Sequence, residues 1–359
     1  MRRRVTNKLL EAFPIDIQDL YEKAGESLPH SAKRWWWCWG GIVGLIFGLQ
    51  VATGLLLAFY YRAEPGTAFE SIRYITENAR FGLFLRSVHN WGATFMVTFL
   101  FLHMLRTFVT GSYRENRWGT WMAGVGLLGV TLGLAFTGYA LVGDTVSYWA
   151  IVVTSNIVGA VPIIGGFSKQ LFLAGDSFNQ ATLSRMYAFH VQIMPAALMG
   201  VVLVHLMFVR LHGMHKPGTA ADLAAEEAET SSKGSHEFFP NHAMSETASF
   251  LYVAVIIMLL ALAFPVAMGI PFDPAVTPEH IKPEWYFYAV FHILKLIPGQ
   301  AGVVVTLLLG VAMFFWPFID QYIMQPIDRA LFKGRFETSL LVGMATLAVF
   351  LLWSVVESY

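Results

Sequence analysis

Long apolar runs alternate with short polar stretches along the whole chain. Seven runs carry almost no charge: residues 36–60, 88–105, 119–143, 186–209, 248–270, 301–319 and 338–356. A hydrocarbon layer about 30 Å thick is crossed by about 20 helical residues, so each run is long enough to span it. Backbone polar groups in lipid must bond within their own segment, which makes these runs helices. The pattern predicts an all-α membrane protein, with a four-helix transmembrane bundle and three further transmembrane helices. Polar stretches divide it into a first module at 1–215, a linker at 216–245 and a second module at 246–359. The linker, opening KPGTAADLAAEEAETSSKG, is rich in Ala, Glu and Ser, a composition that gives a flexible connection. Residues 144–185 are too long for a simple turn. There DTVSYWAIVVTSNI reads as a short surface-lying helix, broken at VPIIGG. No internal repeat is visible.

Composition agrees. The 359 residues are 56% hydrophobic and 13% charged, with a mean hydropathy of +0.55. Soluble domains are about 25% charged. The first 25 residues have early basic side chains but no apolar core behind them, so a surface-lying amphipathic segment is expected rather than a cleaved signal. A single cysteine, Cys38, excludes an internal disulfide. Zero net charge gives no sign of a nucleic-acid partner. If the N-terminus is cytoplasmic, 16 of the 24 Lys and Arg residues fall on its side and 8 on the other. Basic residues favour the cytoplasmic face, which puts the N-terminus on the negative (n) side and segments 144–185 and 271–300 on the positive (p) side.

Four histidines change the picture. The second run carries His89 and His103, fourteen residues apart, and the fourth carries His190 and His205, fifteen apart. Four helical turns take about 14.4 residues, so each pair returns nearly to one face about 21–22 Å further along. The two runs cross in the same direction. His89 is therefore level with His190 near the p side, and His103 with His205 near the n side. A lone intramembrane histidine often just bonds a neighbouring helix. Four at matched depths, where polar groups are rare and costly, point instead to two bis-histidine haems, one above the other. Glycines repeat the period: Gly40 and Gly54 in the first run, Gly124 and Gly138 in the third. A flat macrocycle among four helices needs close backbones, which glycine permits. Arg86, Arg106, Arg185 and Arg210 lie three to five residues beyond the outer ends of the pairs, placed to bind anionic propionates.

With RSVHNWGATFMV, LHMLR, TGYALVGDTVSYWA, ATLSRMYAFH and KPEWYFY, the chain resembles cytochrome b of the quinol–cytochrome c and quinol–plastocyanin reductases, the bc and bf complexes. The resemblance covers nearly the whole chain. The His190–His205 spacing and the seven runs resemble the bf type, in which cytochrome b and subunit IV are separate chains; here the two modules are fused. It departs at Val142-Gly143-Asp144, where the bf type has Pro-Trp before the acid.

The resemblance implies a Q-cycle. Quinol is oxidised on the p side near Glu284, one electron leaving to a Rieske-type iron–sulfur protein and then a c-type cytochrome. The other passes through the two b haems to reduce quinone on the n side, building proton-motive force. It implies that Glu284, in PEWY, is the proton acceptor and that Tyr286 bonds the quinol or the partner. Cys38 matches the position that holds an extra c-type haem by one thioether, although no CxxCH motif is present. Arg210 is the candidate for the n-side quinone site. Lipids and a homodimeric complex in an energy-transducing, bacterial-type membrane complete the expectation. The competing reading is a haem-free transporter using the histidines as a proton relay.

Overall fold

The structure, a computed structural model, describes residues 27–28, 35–213, 236–276, 281–332 and 337–358. The amphipathic segment expected before residue 26 and most of the 216–245 linker lie outside the described residues. Apart from a two-residue pairing of Ser27–Leu28 with His236–Glu237, the described chain is helix and connecting segment. The all-α membrane architecture holds.

Helix α1 (Trp39–Ala58) follows a tight turn at Trp35–Cys38. Short α2 (Ala68–Glu77) buries Ala68, Phe69 and Ile75 and turns Glu70 and Arg73 outward as an ion pair. Then come α3 (Gly82–Val109) and α4 (Trp118–Ala140). The connection after α4 forms α5 (Thr145–Gly159) and α6 (Gly165–Leu173), a broken surface pair as the sequence predicts. Asp144 starts α5, accepting from the Ser147 N–H at 2.8 Å. Gly143 before it has φ +74°, a conformation suited to glycine. Helix α7 (Gln180–His212) opens on a capping box between Asn179 and Thr182.

In the second half, α8 (Ala243–Ala263) stops short of the expected 270. Pro265 forces Phe264 out of the helical region, and 264–272 continues as non-helical chain. Next come α9 (Tyr288–Leu296), α10 (Gln300–Phe314), α11 (Trp316–Phe332) and α12 (Thr338–Ser358). Helices α10 and α11 meet at 74°, with Phe315 as the turn and Pro317 in the first turn of α11. Five described helices are long and apolar enough to span a membrane, or six if the bent pair is one span. The expected seven are not confirmed on that criterion: the sixth run is bent, and α12 is not among the spans counted.

Lipid-facing and buried surfaces are both apolar. Leu55, Leu203, Leu262 and Leu308 are more than half exposed, whereas Ile46, Met186 and Ile257 are fully enclosed. Between lipid-bathed helices the hydrophobic effect gives little preference, so close packing and polar ties must hold them. Helix α1 packs on α3, α4 on α7, and α8 on both α1 and α3. The ties are specific. Arg114, in the α3–α4 turn, donates from Nε to Asp320 Oδ2 at 2.8 Å, and Asp320 is fully buried. Trp91 Nε1 donates to Phe264 O at 3.0 Å, and Val266 N to Ser87 Oγ at 3.0 Å. The first joins the two halves at one end, the others at the opposite end.

Candidate functional site

The four histidines meet in two pairs. His89 and His190 have ring centres 6.2 Å apart at 78°, and His103 and His205 have theirs 6.5 Å apart at 74°. Metal–imidazole bonds of about 2 Å, plus about 1.1 Å from nitrogen to ring centre, put coaxial imidazoles on one metal about 6.2 Å apart. Both separations suit a shared iron. Ring Nδ1 atoms are turned to the helices. His89 Nδ1 lies 2.8 Å from Thr53 Oγ1, and His205 Nδ1 lies 3.1 Å from Thr120 O. His190 Nδ1 lies 3.1 Å from Leu134 O and 3.2 Å from Thr137 Oγ1. An oxygen acceptor at Nδ1 fixes the proton there and leaves Nε2 free to bind metal. His103 differs: its Nδ1 neighbour is the Arg106 guanidinium, at 3.5 Å.

Why the spacings differ by one residue is now visible. Helix α7 contains a wide π turn at Phe189–Ile193, which includes His190. A π turn takes up one extra residue, a local feature frequent at functional sites. Fifteen residues in α7 therefore match fourteen in α3.

The glycines act on the ligands. A Cβ on Gly40 would meet His103 Cε1 at 3.0 Å, and one on Gly54 would meet His89 Cε1 at 3.2 Å. The Gly124 and Gly138 positions face Cε1 of His205 and His190 at 3.6 and 2.7 Å. Each glycine thus clears one imidazole edge. The expectation was clearance for the macrocycle. The structure shows the contact one layer earlier, because imidazoles in the plane of four helices brush the neighbouring backbone first.

A cavity of about 280 Å³ opens at the His89 level, lined by His89, His190, Arg86, Tyr139, Glu284 and Tyr286 among others. Two chain segments far apart in sequence build it. The PEWY segment turns at Trp285–Phe287 and lays Trp285 against Phe101 of α3, ring centres 6.2 Å apart. Surrounding protein desolvates Glu284 and raises its carboxyl above the usual value. Buried Tyr286 is raised by desolvation and then by Glu284 and Tyr139.

The arginines divide. Arg86 lines the cavity, but its guanidinium also binds Val266 O at 3.4 Å and Ala267 O at 3.2 Å, clipping the segment after α8 onto α3. Arg106 sits over the Trp37 ring at 4.3 Å, beside His103. Arg185 instead donates to the carbonyls of Leu171 and Gln170, closing the end of α6. Arg210 is exposed near the end of α7.

Cys38 is 2% exposed in a core with Ile42, Ile46, Val253 and Ile257, and its thiol bonds Ser249 of α8. The next position on that face, Gly41, abuts the Glu246 carboxylate. Both histidine pairs stand at metal-binding separation, whereas the Cys38 thiol is enclosed by α8. Sequence reasoning missed Glu246 and its partner His242, whose Nε2 lies 3.4 Å from Glu246 Oε1. Their i,i+4 spacing was the available signal, and it lay at the edge of the linker.

Comparison with known proteins agrees with this geometry. Residues 26–213 match the family described as Cytochrome b/b6/petB, and residues 271–357 match Cytochrome b(C-terminal)/b6/petD. The first match alone spans more than half of the chain, so the protein belongs to the cytochrome b family, a class of transmembrane electron-transport proteins with b-type haem. Its fold is similar to that of a chain in "Hyperthermophilic respiratory Complex III", at 22% identity and a TM-score of 0.74, covering 97% of this chain and 96% of that one.

Proposed function

We propose that this chain is the catalytic transmembrane subunit of a quinol:cytochrome c oxidoreductase, or of one with a similar acceptor. It oxidises quinol at the Glu284 end and reduces quinone at the His103 end. The observation that carries the proposal is the cavity that brings His89 and His190 together with Glu284 and Tyr286. Quinol oxidation releases protons beside the electron acceptor, and here a carboxylate of raised proton affinity lines the same cavity as a metal-binding pair.

His89 with His190, and His103 with His205, would each hold one b haem. Haems held there supply one-electron redox centres at two depths of the membrane. Glu284 accepts a quinol proton, and Tyr286 orients the quinol hydroxyl. Arg86 and Arg106 bind the propionates at the two levels, with Arg185 and Arg210 as weaker candidates, and Arg210 also serves the n-side quinone. The first module, 1–215, carries the haems, 246–359 carries the PEWY segment, and the linker joins them on the n side. The basic-residue asymmetry supports an n-side N-terminus, in an energy-transducing membrane of bacterial type. Partners of this reading are a Rieske-type iron–sulfur protein, a c-type cytochrome and a second copy of the complex. A thioether haem at Cys38, which the resemblance implies, would need α8 to move off the thiol it encloses.

A dithionite-reduced spectrum of the purified protein tests the proposal, followed by reduction with a quinol. Two b haems per chain, reduced by quinol, are expected. Folded protein grown with haem available that carries none overturns it. A haem stain on a denaturing gel checks Cys38 separately, and no stain at this chain's mass is expected.

A further inference from the structure

The two histidine levels share a ligand geometry but differ in what stands behind the ligands. At the His89 level each glycine is preceded by a threonine: Thr53-Gly54 on α1 and Thr137-Gly138 on α4. The glycine admits the imidazole edge and the threonine hydroxyl faces Nδ1, at 2.8 Å for His89 and at 3.2 Å for His190, where the Leu134 carbonyl is a second acceptor at 3.1 Å. Both threonines are buried. Both hydroxyl protons are already committed. Thr53 donates to Leu49 O at 2.8 Å, and Thr137 donates to Gly133 O at 2.8 Å. Each hydroxyl oxygen can therefore only accept from the imidazole. At the other level the same positions read Trp39-Gly40 and Ala123-Gly124, with no hydroxyl. There His205 has the Thr120 carbonyl, and His103 has the Arg106 cation at 3.5 Å. Arg86, the cation of the His89 level, bonds the carbonyls of Val266 and Ala267 rather than a histidine ring.

We infer that Thr53 and Thr137 are positioning residues that lower the reduction potential of the p-side haem relative to the n-side haem. An acceptor on Nδ1–H makes imidazole a stronger electron donor, which favours the ferric state. A cation at His103 acts the other way. The two Thr-Gly pairs thus give the first acceptor the lower potential and make transfer toward the second downhill. The inference rests on the two-haem reading proposed above.

Redox potentiometry of the purified protein, followed by absorbance, tests it in Thr53→Val, Thr137→Val and the double variant. A His103→Leu background identifies which wave belongs to the p-side haem. Thr53→Val is expected to raise the p-side potential by an amount corresponding to about tenfold in the reduction equilibrium, ~59 mV for a one-electron couple, and Thr137→Val by less, because the Leu134 carbonyl stays at His190 Nδ1. The double variant should shift it further than either valine alone, and the n-side potential should stay. Thr53→Ser, which keeps the hydroxyl, should hold the parent value. Where valine blocks haem loading, Thr53→Ala removes the same acceptor and adds no bulk. Two loaded haems with unmoved potentials overturn the inference and leave the functional reading intact. An equal shift in Thr53→Ser also overturns it, by tracing the effect to packing. A parent protein with no haem overturns the functional reading itself.

Discussion

The His89 and His103 levels repeat each other in ligand type, ring separation and facing glycines. They diverge in what the second half of the chain brings. At the His89 level, α8 ends early and its continuation is clipped by Ser87, Trp91 and Arg86, while the PEWY turn delivers Glu284 and Tyr286 into the cavity. At the His103 level, α8 is still regular helix, and it seals Cys38 and Gly41 with Ser249 and Glu246. A periodic pair of helices thus builds two similar histidine pairs. Non-helical segments, which need not obey that period, give one of them a cavity.

Removing one ligand from each level should break the comparison most completely. His103→Leu should lose the n-side haem and keep the p-side one, and His89→Leu should do the reverse, both variants inserting normally. Reduced spectra with one b haem per chain check this, and retention of both haems in His103→Leu would break the pairing. In His89→Leu quinol should no longer reduce any haem. In His103→Leu a single-turnover reduction of the remaining haem should survive.

Glu284→Gln comes next, because it leaves both metal sites and takes away the proton acceptor. General-base removal typically costs about 10²–10⁴ in rate. Quinol-driven reduction should slow by that order, with dithionite spectra unchanged. The sign of the pH dependence follows from burial. Desolvation raises the Glu284 carboxyl, so its base form appears only above the ordinary carboxylate range. Oxidation by the parent should therefore rise with pH along a limb displaced upward from that range, and the limb should vanish in the glutamine variant. A limb that persists in Glu284→Gln assigns the proton to another group.

How much of this was legible beforehand follows the same division. Apolar length exposed the spans, and the matched His and Gly spacings exposed both levels, because straight helices turn sequence period into spatial alignment. The one-residue discrepancy between His89–His103 and His190–His205 was visible, but its cause was not. A π turn has no composition of its own, and Phe189–Ile193 reads as ordinary helix. The ends of the later helices were legible in principle. Pro265 and Pro317 mark the early stop of α8 and the bend after α10, but unbroken apolar runs masked both. Arg185 looked equivalent to the other arginines by spacing. Its engagement with α6 depends on where a surface helix folds back, which local sequence does not encode. Glu284 stood out only through resemblance, since its cavity is assembled from distant segments.

The glycines allow the finest comparison, because the four clearances are unequal. A methyl at Gly138 would stand 2.7 Å from His190 Cε1 and 3.3 Å from two further ring atoms, so something must move. His190 is held at Nδ1 by both Leu134 O and Thr137, and the π turn fixes its backbone, so the ring has little freedom to retreat. Overpacking of this kind costs about 1–3 kcal/mol. At Gly124 the same methyl would meet His205 at 3.6 Å, ordinary contact, and the expected cost is within about 0.5 kcal/mol. Gly138→Ala should thus weaken loading of the p-side haem, and Gly124→Ala should leave the n-side haem near full occupancy. Haem-to-protein ratios of the two variants, purified alike, check the order. Equal losses in both would mean that the glycines clear the macrocycle rather than the imidazole edge.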